Sequence, residues 1–420
     1  MIKRHLRPLV VEALGEFPVV AILGGRQVGK STLAQDLASD AWPASYITLD
    51  DMTALDAALR DPDGFVKNLK LPVIIDEVQR APDLLRSVKL VVDRQRKPGM
   101  FLLTGSANLL TLKGVSESLA GRVALFELHP FSWSELCRMP EPPEGLEAIF
   151  SCRTAKEFLA SLPKPKKPTP REELARSILA GGYPVPALMK AQRSRTRWYH
   201  SYRQTYLERD LRDISNVKRL TDFNRLLVAA ASRTGRLLNI AELSGDMDIP
   251  VKTLRRHLDL LAITYQVTLV QPYFVNIGRR LVKTPKLYFN DTGLAAHLTV
   301  TEDWDVLERQ GRSGALADTW VAAELRKLAA LAEKQTGVFF WRPHQGREVD
   351  FILARGDRLA AVEVKWARQV SDSDLAGIES CRHDLGRQLG LSVVLHSGET
   401  ALALNDHVAA VPMALFFGPG

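Results

Sequence analysis

The sequence predicts an α/β chain with an N-terminal parallel sheet, a helical centre that includes a winged-helix pattern, and a second α/β region at the C-terminus. Three observations carry this. Phe17 to Leu23 is a short apolar run that ends in a glycine-rich loop and passes straight into helix-forming sequence. Leu71 to Ile75 is a second apolar run, and it ends in two acids, Asp76 and Glu77. Beyond residue 310, short apolar strands again alternate with a helix. Strands covered on both faces read as continuous apolar runs, and strand–helix alternation builds such layers.

The loop Gly24-Gly25-Arg26-Gln27-Val28-Gly29-Lys30-Ser31, followed by Thr32, satisfies G-x-x-x-x-G-K-[ST] at each fixed position. A triphosphate is a dense cluster of negative oxygens. Glycines let consecutive backbone N–H groups turn inward around it, and the helix that opens at Ser31 adds its positive end. Lys30 is placed to reach the β- and γ-phosphates, and the Ser31 hydroxyl to hold Mg²⁺. Gly24 to Thr32 are therefore the expected ATP-binding residues.

In Leu71-Pro72-Val73-Ile74-Ile75-Asp76-Glu77, Asp76 is the candidate second ligand for Mg²⁺ and Glu77 the candidate general base for an attacking water. The competing reading is a pair of acids capping the helix that starts near Asp83. A third strand, Met100 to Leu103, leads to Thr104, Ser106 and Asn108, whose polar groups are candidates for contact with the γ-phosphate or the water. All three tips belong at the carboxyl ends of parallel strands, where open α/β sheets bind ligands. Arg122 is a candidate arginine finger, for its own subunit or a neighbour's; a surface arginine after a helix is the alternative.

The chain has 420 residues, 46% of them apolar and 25% charged, the composition of a soluble chain of two to four domains. No apolar run approaches the roughly 18–20 residues of a membrane span, and no signal-peptide core is present. Cys137, Cys152 and Cys381 lie far apart without metal-ligand spacing, which predicts reduced thiols in a cytoplasmic protein. The formal net charge of +8 leans toward a polyanionic partner such as DNA or RNA.

Four domains are expected: 1–135, an α/β nucleotide domain; 136–221, a helical lid and linker; 222–300, winged-helix-like; and 301–420, a second α/β domain. Leu162 to Pro170 holds four prolines and three lysines, and reads as an exposed linker. Trp198 to Leu211 carries aromatic and apolar residues at a spacing of three to four, a core-facing stripe.

In the third domain, helices are expected at Phe223–Ser232, after an Asn239 cap, and at Val251–Leu261. In the last of these, Val251, Leu254, Leu258 and Leu261 share one face, while Lys252, Arg255, Arg256 and Asp259 fall away from it. An apolar inner face with a basic outer one is what docking in a major groove demands. Two β-like runs, Val267–Val270 and Lys286–Phe289, flank a basic tip containing Arg279 and Arg280, which suits contacts to a DNA backbone. A packing module with a solvated basic face is the alternative.

In the fourth domain, Glu324 lies on a helix, Asp350 in the strand Glu348–Leu353, and Glu363 and Lys365 in the strand Ala360–Lys365. Alternate residues share a strand face. An aspartate followed one hairpin later by Glu-x-Lys is a metal-nuclease arrangement. Asp350 and Glu363 would hold Mg²⁺, Glu324 would assist from the helix, and Lys365 would orient the water. A strand pair closed by salt bridges among Glu348, Asp350, Glu363 and Lys365 is the alternative.

With these residues in hand, the chain resembles a large family of prokaryotic AAA-type ATPases, related to the archaeal ATPase clade, that carry a C-terminal restriction-endonuclease-like domain of PD-(D/E)XK type. The matching stretches are Gly24–Thr32, Val73–Gln79, Leu103–Ala107, Leu119–Arg122, His129–Leu136, Gly181–Pro184, Tyr206–Ile214, Leu287–Leu294 and Glu348–Lys365. Gly25 stands where the family often has proline, and no proline precedes Asp350. The resemblance implies ATP hydrolysis with Mg²⁺, ring-forming homo-oligomers, hexameric in one form, and a role on DNA without a membrane partner. Three functions are then in contention: an ATP-driven motor on duplex or junction DNA, a nucleotide-dependent oligomeric switch whose C-terminal domain binds a partner, and an ATP-gated metal-dependent nuclease.

Overall fold

The computed structural model describes residues 2–39, 41–106, 119–165, 167–207, 220–274, 283–343 and 347–419. They form two compact units. One comprises Lys3–Pro130 and Ile263–Tyr265, the other chiefly Phe131–Ala262 and Gln266–Gly420.

The first unit is built on strands β1 (Val19–Leu23), β2 (Ser45–Thr48), β3 (Val73–Asp76), β4 (Phe101–Gly105) and β5 (Val123–Glu127). All neighbours are parallel, in the order β2-β3-β4-β1-β5. Every residue of the three central strands β1, β3 and β4 is buried, whereas the edge strands β2 and β5 are mostly half-buried. This is why the central runs are apolar throughout. The helix Leu84–Gln95 buries Leu84, Leu85, Val88 and Val92, a three-to-four spacing that lays one stripe on the sheet. Because β4 lies between β1 and β3, its polar tip sits between the strand that leads into the phosphate loop and the strand that ends at Asp76.

The second unit contains two sheets. Helix Leu220–Ser232, strand β6 (Arg236–Leu237), helices Ile240–Met247 and Val251–Ile263, and strands β7 (Val267–Val270) and β8 (Lys286–Phe289) follow in the element order of a winged helix. Its three strands are antiparallel in the order β6-β8-β7. Asn239 caps its helix by accepting from the Glu242 N–H at 3.2 Å. Val251 departs from expectation: it opens its helix and is 41% exposed, while His257 joins Leu254, Leu258 and Leu261 on the inner face.

The larger sheet comprises β9 (Gly337–Trp341), β10 (Val349–Arg355), β11 (Arg358–Lys365), β12 (Leu389–His396), β13 (Leu402–Ala403) and β14 (Val408–Pro412), in the order β13-β14-β12-β11-β10-β9. The pairs β9–β10, β10–β11 and β13–β14 are antiparallel, and β11–β12 and β12–β14 are parallel. The helix Ser313–Leu331 packs on β8, β9 and β11, and the helix Ala376–Leu385 on β10 and β12.

One buried carboxylate ties distant parts of this unit together. Asp291 accepts from the N–H groups of Gly182 at 2.7 Å and Leu294 at 2.8 Å, and lies 3.0 Å from the Tyr199 hydroxyl. Burial raises its carboxyl above the usual range, and these donors pull it back. The Tyr199 hydroxyl also faces the Ala180 carbonyl at 2.8 Å. Tyr183, Trp198, Tyr199 and Tyr202 pack around it with ring centroids 5.1–6.3 Å apart. Gly181 has φ +72°, and a Cβ on Gly293 would fall against the Tyr199 hydroxyl and the Ala180 carbonyl. Gly293→Ala is therefore expected to destabilise this unit by about 1–3 kcal/mol, the usual cost of overpacking. The check is a lower urea midpoint for its unfolding transition.

Candidate functional site

β1 ends at Leu23 in register with Gly105 of β4 and Glu127 of β5, so the loop after β1 and the tips of β3 and β4 lie on one edge of the sheet. A Cβ on Gly24 would meet the Leu128 carbonyl, so only glycine lets the loop leave the strand this way. Gly29, at φ +97°, turns the chain into the helix Lys30–Leu37. Lys30 is buried and its ammonium arches back over the loop, donating to the carbonyls of Gly24 at 3.1 Å and Gly25 at 2.9 Å. Arg4 donates to the Val28 carbonyl at 2.8 Å and braces the loop from the N-terminal segment.

Asp76 is 4% exposed and surrounded by hydroxyls. Ser31 donates to its Oδ1 at 3.1 Å, Tyr46 to its Oδ2 at 2.8 Å, and Thr104 to its Oδ1. Burial, with Asp76 beside it, pushes the Tyr46 phenol up to about 12, so it remains a donor. Glu77 is left-handed at φ +58°, and its N–H donates to Thr104 Oγ1 at 3.2 Å. Its carboxylate accepts from the Gln79 amide, which also donates to Ser106 Oγ at 2.9 Å, while the Ser106 N–H donates back to Gln79 Oε1 at 3.3 Å. Glu77, Gln79 and Ser106 thus form one hydrogen-bonded chain beside the loop.

These groups suit a magnesium triphosphate. The loop amides and Lys30 supply positive charge. Ser31 and Asp76 already stand at hydrogen-bond distance, which lets both contribute oxygens to one hard cation. When bound, the nucleotide supplies the γ-phosphoryl group. Glu77 would take the proton of the attacking water, with Gln79 and Ser106 fixing where its carboxylate points. Sequence reasoning assigned no role to Tyr46 or Gln79. The spacing of Gln79, two residues beyond Glu77 on the same turn, was the available signal; Tyr46, on a separate strand, left none.

Arg122 is not brought to this edge. Its carbonyl accepts from the Val19 N–H at 3.3 Å, at the start of β1, and its guanidinium donates to Asp93 Oδ1 at 2.5 Å. That is the far end of the sheet from the loop, so the residue does not reach the nucleotide edge of its own subunit. Asn108, Arg279 and Arg280 lie outside the described residues. On the helix Val251–Ile263, Lys252, Arg255 and Arg256 are all exposed, with Asp259 beside them.

At the C-terminal sheet, Asp350 and Glu363 are each 7% exposed on neighbouring strands, and Lys365 lies 3.0 Å from Glu363 Oε1. Burial pushes the Glu363 carboxyl up to about 8. Glu324 is not with them. It accepts from the Trp133 N–H at 2.9 Å and from Lys327 at 2.7 Å. The acid that this helix turns toward the sheet is Asp318, six residues earlier, whose carboxyl is raised by burial and then by Asp350. At 3.6 residues per turn the two acids occupy different faces, and an apolar helix hides which one faces inward. Among the described residues, no group of three or more histidines, cysteines or acids is arranged to hold a metal ion.

Residues 16–137 match the family model described as an AAA domain. Residues 171–305 and 313–416 match two domains of unknown function, DUF8612 and DUF4143. The uncharacterized proteins Rv2008c of Mycobacterium tuberculosis and Mb2031c of Mycobacterium bovis are each 32% identical over 401 residues, covering 95% of this chain and 81% of the relative. A solved structure, the Walker-type ATPase paby2304 of Pyrococcus abyssi, overlaps 71% of this chain and 96% of its own at 16% identity, with a TM-score of 0.43. The AAA domain and its phosphate loop define a P-loop ATPase. The chain belongs to one family with the two mycobacterial proteins.

If Glu77 is the base, Glu77→Gln is expected to lower kcat for ATP by about 10²–10⁴-fold while leaving nucleotide binding within a few-fold. Steady-state turnover and equilibrium titration with a fluorescent ATP analogue check the two halves separately.

Proposed function

We propose that this ATPase is a DNA-handling motor, acting on duplex or junction DNA by translocation, strand separation or branch migration. The observation that carries the DNA reading is the outer face of the helix Val251–Ile263. Lys252, Arg255 and Arg256 are exposed there, and none makes an ion pair within the described residues, while Leu254, Leu258 and Leu261 anchor the helix from below. A buried anchor with an unneutralised basic face suits phosphate contact. Arg279 and Arg280, in the basic tip between β7 and β8 in the sequence, are proposed as further DNA contacts. The Asp76–Glu77 pair, with Mg²⁺ held by Ser31 and Asp76, supports hydrolysis rather than passive nucleotide binding.

Arg122, held by Asp93 at the opposite end of the sheet, supports action on a neighbouring subunit's nucleotide, and so a ring of copies, six in one form. No helix among the described residues is long and apolar enough to cross a membrane, and the three cysteines are free. Both fit work on DNA in the cytoplasm.

A second reading, a nucleotide-dependent switch, draws on the restraint of Glu77 by Gln79. A base held in this way would turn over slowly until a partner releases it. The two readings separate on one measurement, ATP turnover against duplex, single-stranded, forked and four-way DNA. A motor is expected to be stimulated by at least one form. Turnover indifferent to all of them would leave the switch. Lys252, Arg255 and Arg256 changed together to alanine should lose the stimulation. If each contacts a phosphate, the log–log salt slope of binding should become shallower by about 0.9 per residue, read by fluorescence anisotropy across a salt series.

A further inference from the structure

The carboxylates of the β10–β11 hairpin were expected to hold magnesium, but the structure places another cation among them. Lys286 opens β8 of the three-stranded sheet. Its ammonium is buried, 3.5 Å from Glu348 Oε1, 3.7 Å from Asp350 Oδ1 and 5.4 Å from the centre of the Phe340 ring. The other Asp350 oxygen accepts the Val364 N–H at 2.9 Å. Glu363 Oε1 faces Lys365, which also lies 3.8 Å from Asp374, and Arg342 reaches Glu348 Oε2 at 3.6 Å. Mg²⁺ is held through one or two carboxylates at about 2.0–2.1 Å, with waters in its other positions, and so needs carboxylate oxygens that no fixed cation already occupies. Here Asp350, Glu348 and one oxygen of Glu363 already face an amide or a tethered cation; Glu363 Oε2 is buried without a hydrogen-bond partner, and Asp318, its carboxyl raised by burial and by Asp350, belongs to the same cluster.

The sheets are joined around this lysine. Tyr273 N–H donates to the Phe340 carbonyl at 2.6 Å, and Phe340 N–H to that of Gln271 at 3.1 Å. Tyr288, two residues along β8 and so on the same face as Lys286, packs on Phe351 with ring centres 5.6 Å apart. A cavity of about 390 Å³ bounded by Arg233, Arg236, Arg342 and Glu348 opens onto Lys286.

We propose that Lys286 is a built-in cation standing in place of a metal ion at this hairpin, so that the C-terminal sheet is fastened to the three-stranded sheet and does not cleave nucleic acid. This reading does not depend on the chemistry at the phosphate loop, and Mn²⁺ held by Ser31 and Asp76 is told apart because it persists in Asp350→Asn.

The experiment uses the full chain without nucleotide, with Mn²⁺ as the probe. Binding is followed by electron paramagnetic resonance, stability by thermal melting, and cutting on supercoiled plasmid. Wild-type protein is expected to bind no Mn²⁺ at these acids, to show the same binding and melting response to Mn²⁺ as Asp350→Asn, and to leave plasmid intact. Lys286→Met should melt lower, because it strands buried carboxylates. It should also gain one Mn²⁺ that restores the lost melting temperature, and lose that gain when combined with Asp350→Asn. Lys286→Arg keeps the charge and should behave as wild type. Mn²⁺ binding or plasmid cleavage by wild-type protein that disappears in Asp350→Asn would overturn the proposal. So would a Lys286→Met protein that melts as wild type and ignores Mn²⁺. Should the methionine variant not fold, the wild-type and Asp350→Asn measurements decide alone.

Discussion

Asp76 is the constraint on which the nucleotide edge depends. It is a buried acid held by neutral donors, the hydroxyls of Ser31, Tyr46 and Thr104. Hydroxyls satisfy lone pairs without bringing a counter-charge, so no side-chain cation among these donors competes with a dication for Asp76. The same Thr104 accepts from the Glu77 backbone N–H, so the proposed metal ligand and the proposed base share one anchor. Asp350 presents the opposite solution. It is equally buried on a strand, but its counter-charges are Lys286 and, nearby, Lys365. Two acids that look alike in sequence are thus prepared for different chemistry by what surrounds them.

Most of the first unit was legible because its signals are local. The loop, the apolar strand before it and the acid-tipped strand each sit within a dozen residues, and burial on both faces writes itself as uninterrupted valine, isoleucine and leucine. β7 and β8 were read at their observed limits, since β-branched and aromatic residues dominate both. β6 has only two residues and escaped notice. Side-chain partnerships across the fold were illegible for a different reason. Whether Glu324 or Asp318 faces the sheet depends on the phase of a helix that is apolar nearly all round. That Arg122 points away from the loop depends on strand direction, which one sequence motif does not convey. Lys286 read as the start of a strand; its partners lie more than 60 residues downstream.

The stretches Gly181–Pro184 and Leu287–Leu294 carry no chemistry of their own, and the structure gives them a physical purpose. Both glycine positions make room for Asp291 and Tyr199, and the aromatic cluster then covers a carboxylate that would otherwise be costly to bury. Motif-like sequence far from the nucleotide edge is therefore explained here by packing around one charge.

The anchoring of the second unit has a consequence for how the polypeptide is made. Trp133 N–H and the Phe131 carbonyl find their partners in Glu324 and Lys327, and Gly182 finds its own in Asp291. Each pairing spans a hundred residues or more, so contacts that begin the unit are completed near its end. On a translating ribosome, the first unit can close its sheet once Glu127 has emerged. The Trp133 N–H and the Phe131 carbonyl must wait, turned to water, for almost two hundred further residues to leave the exit tunnel.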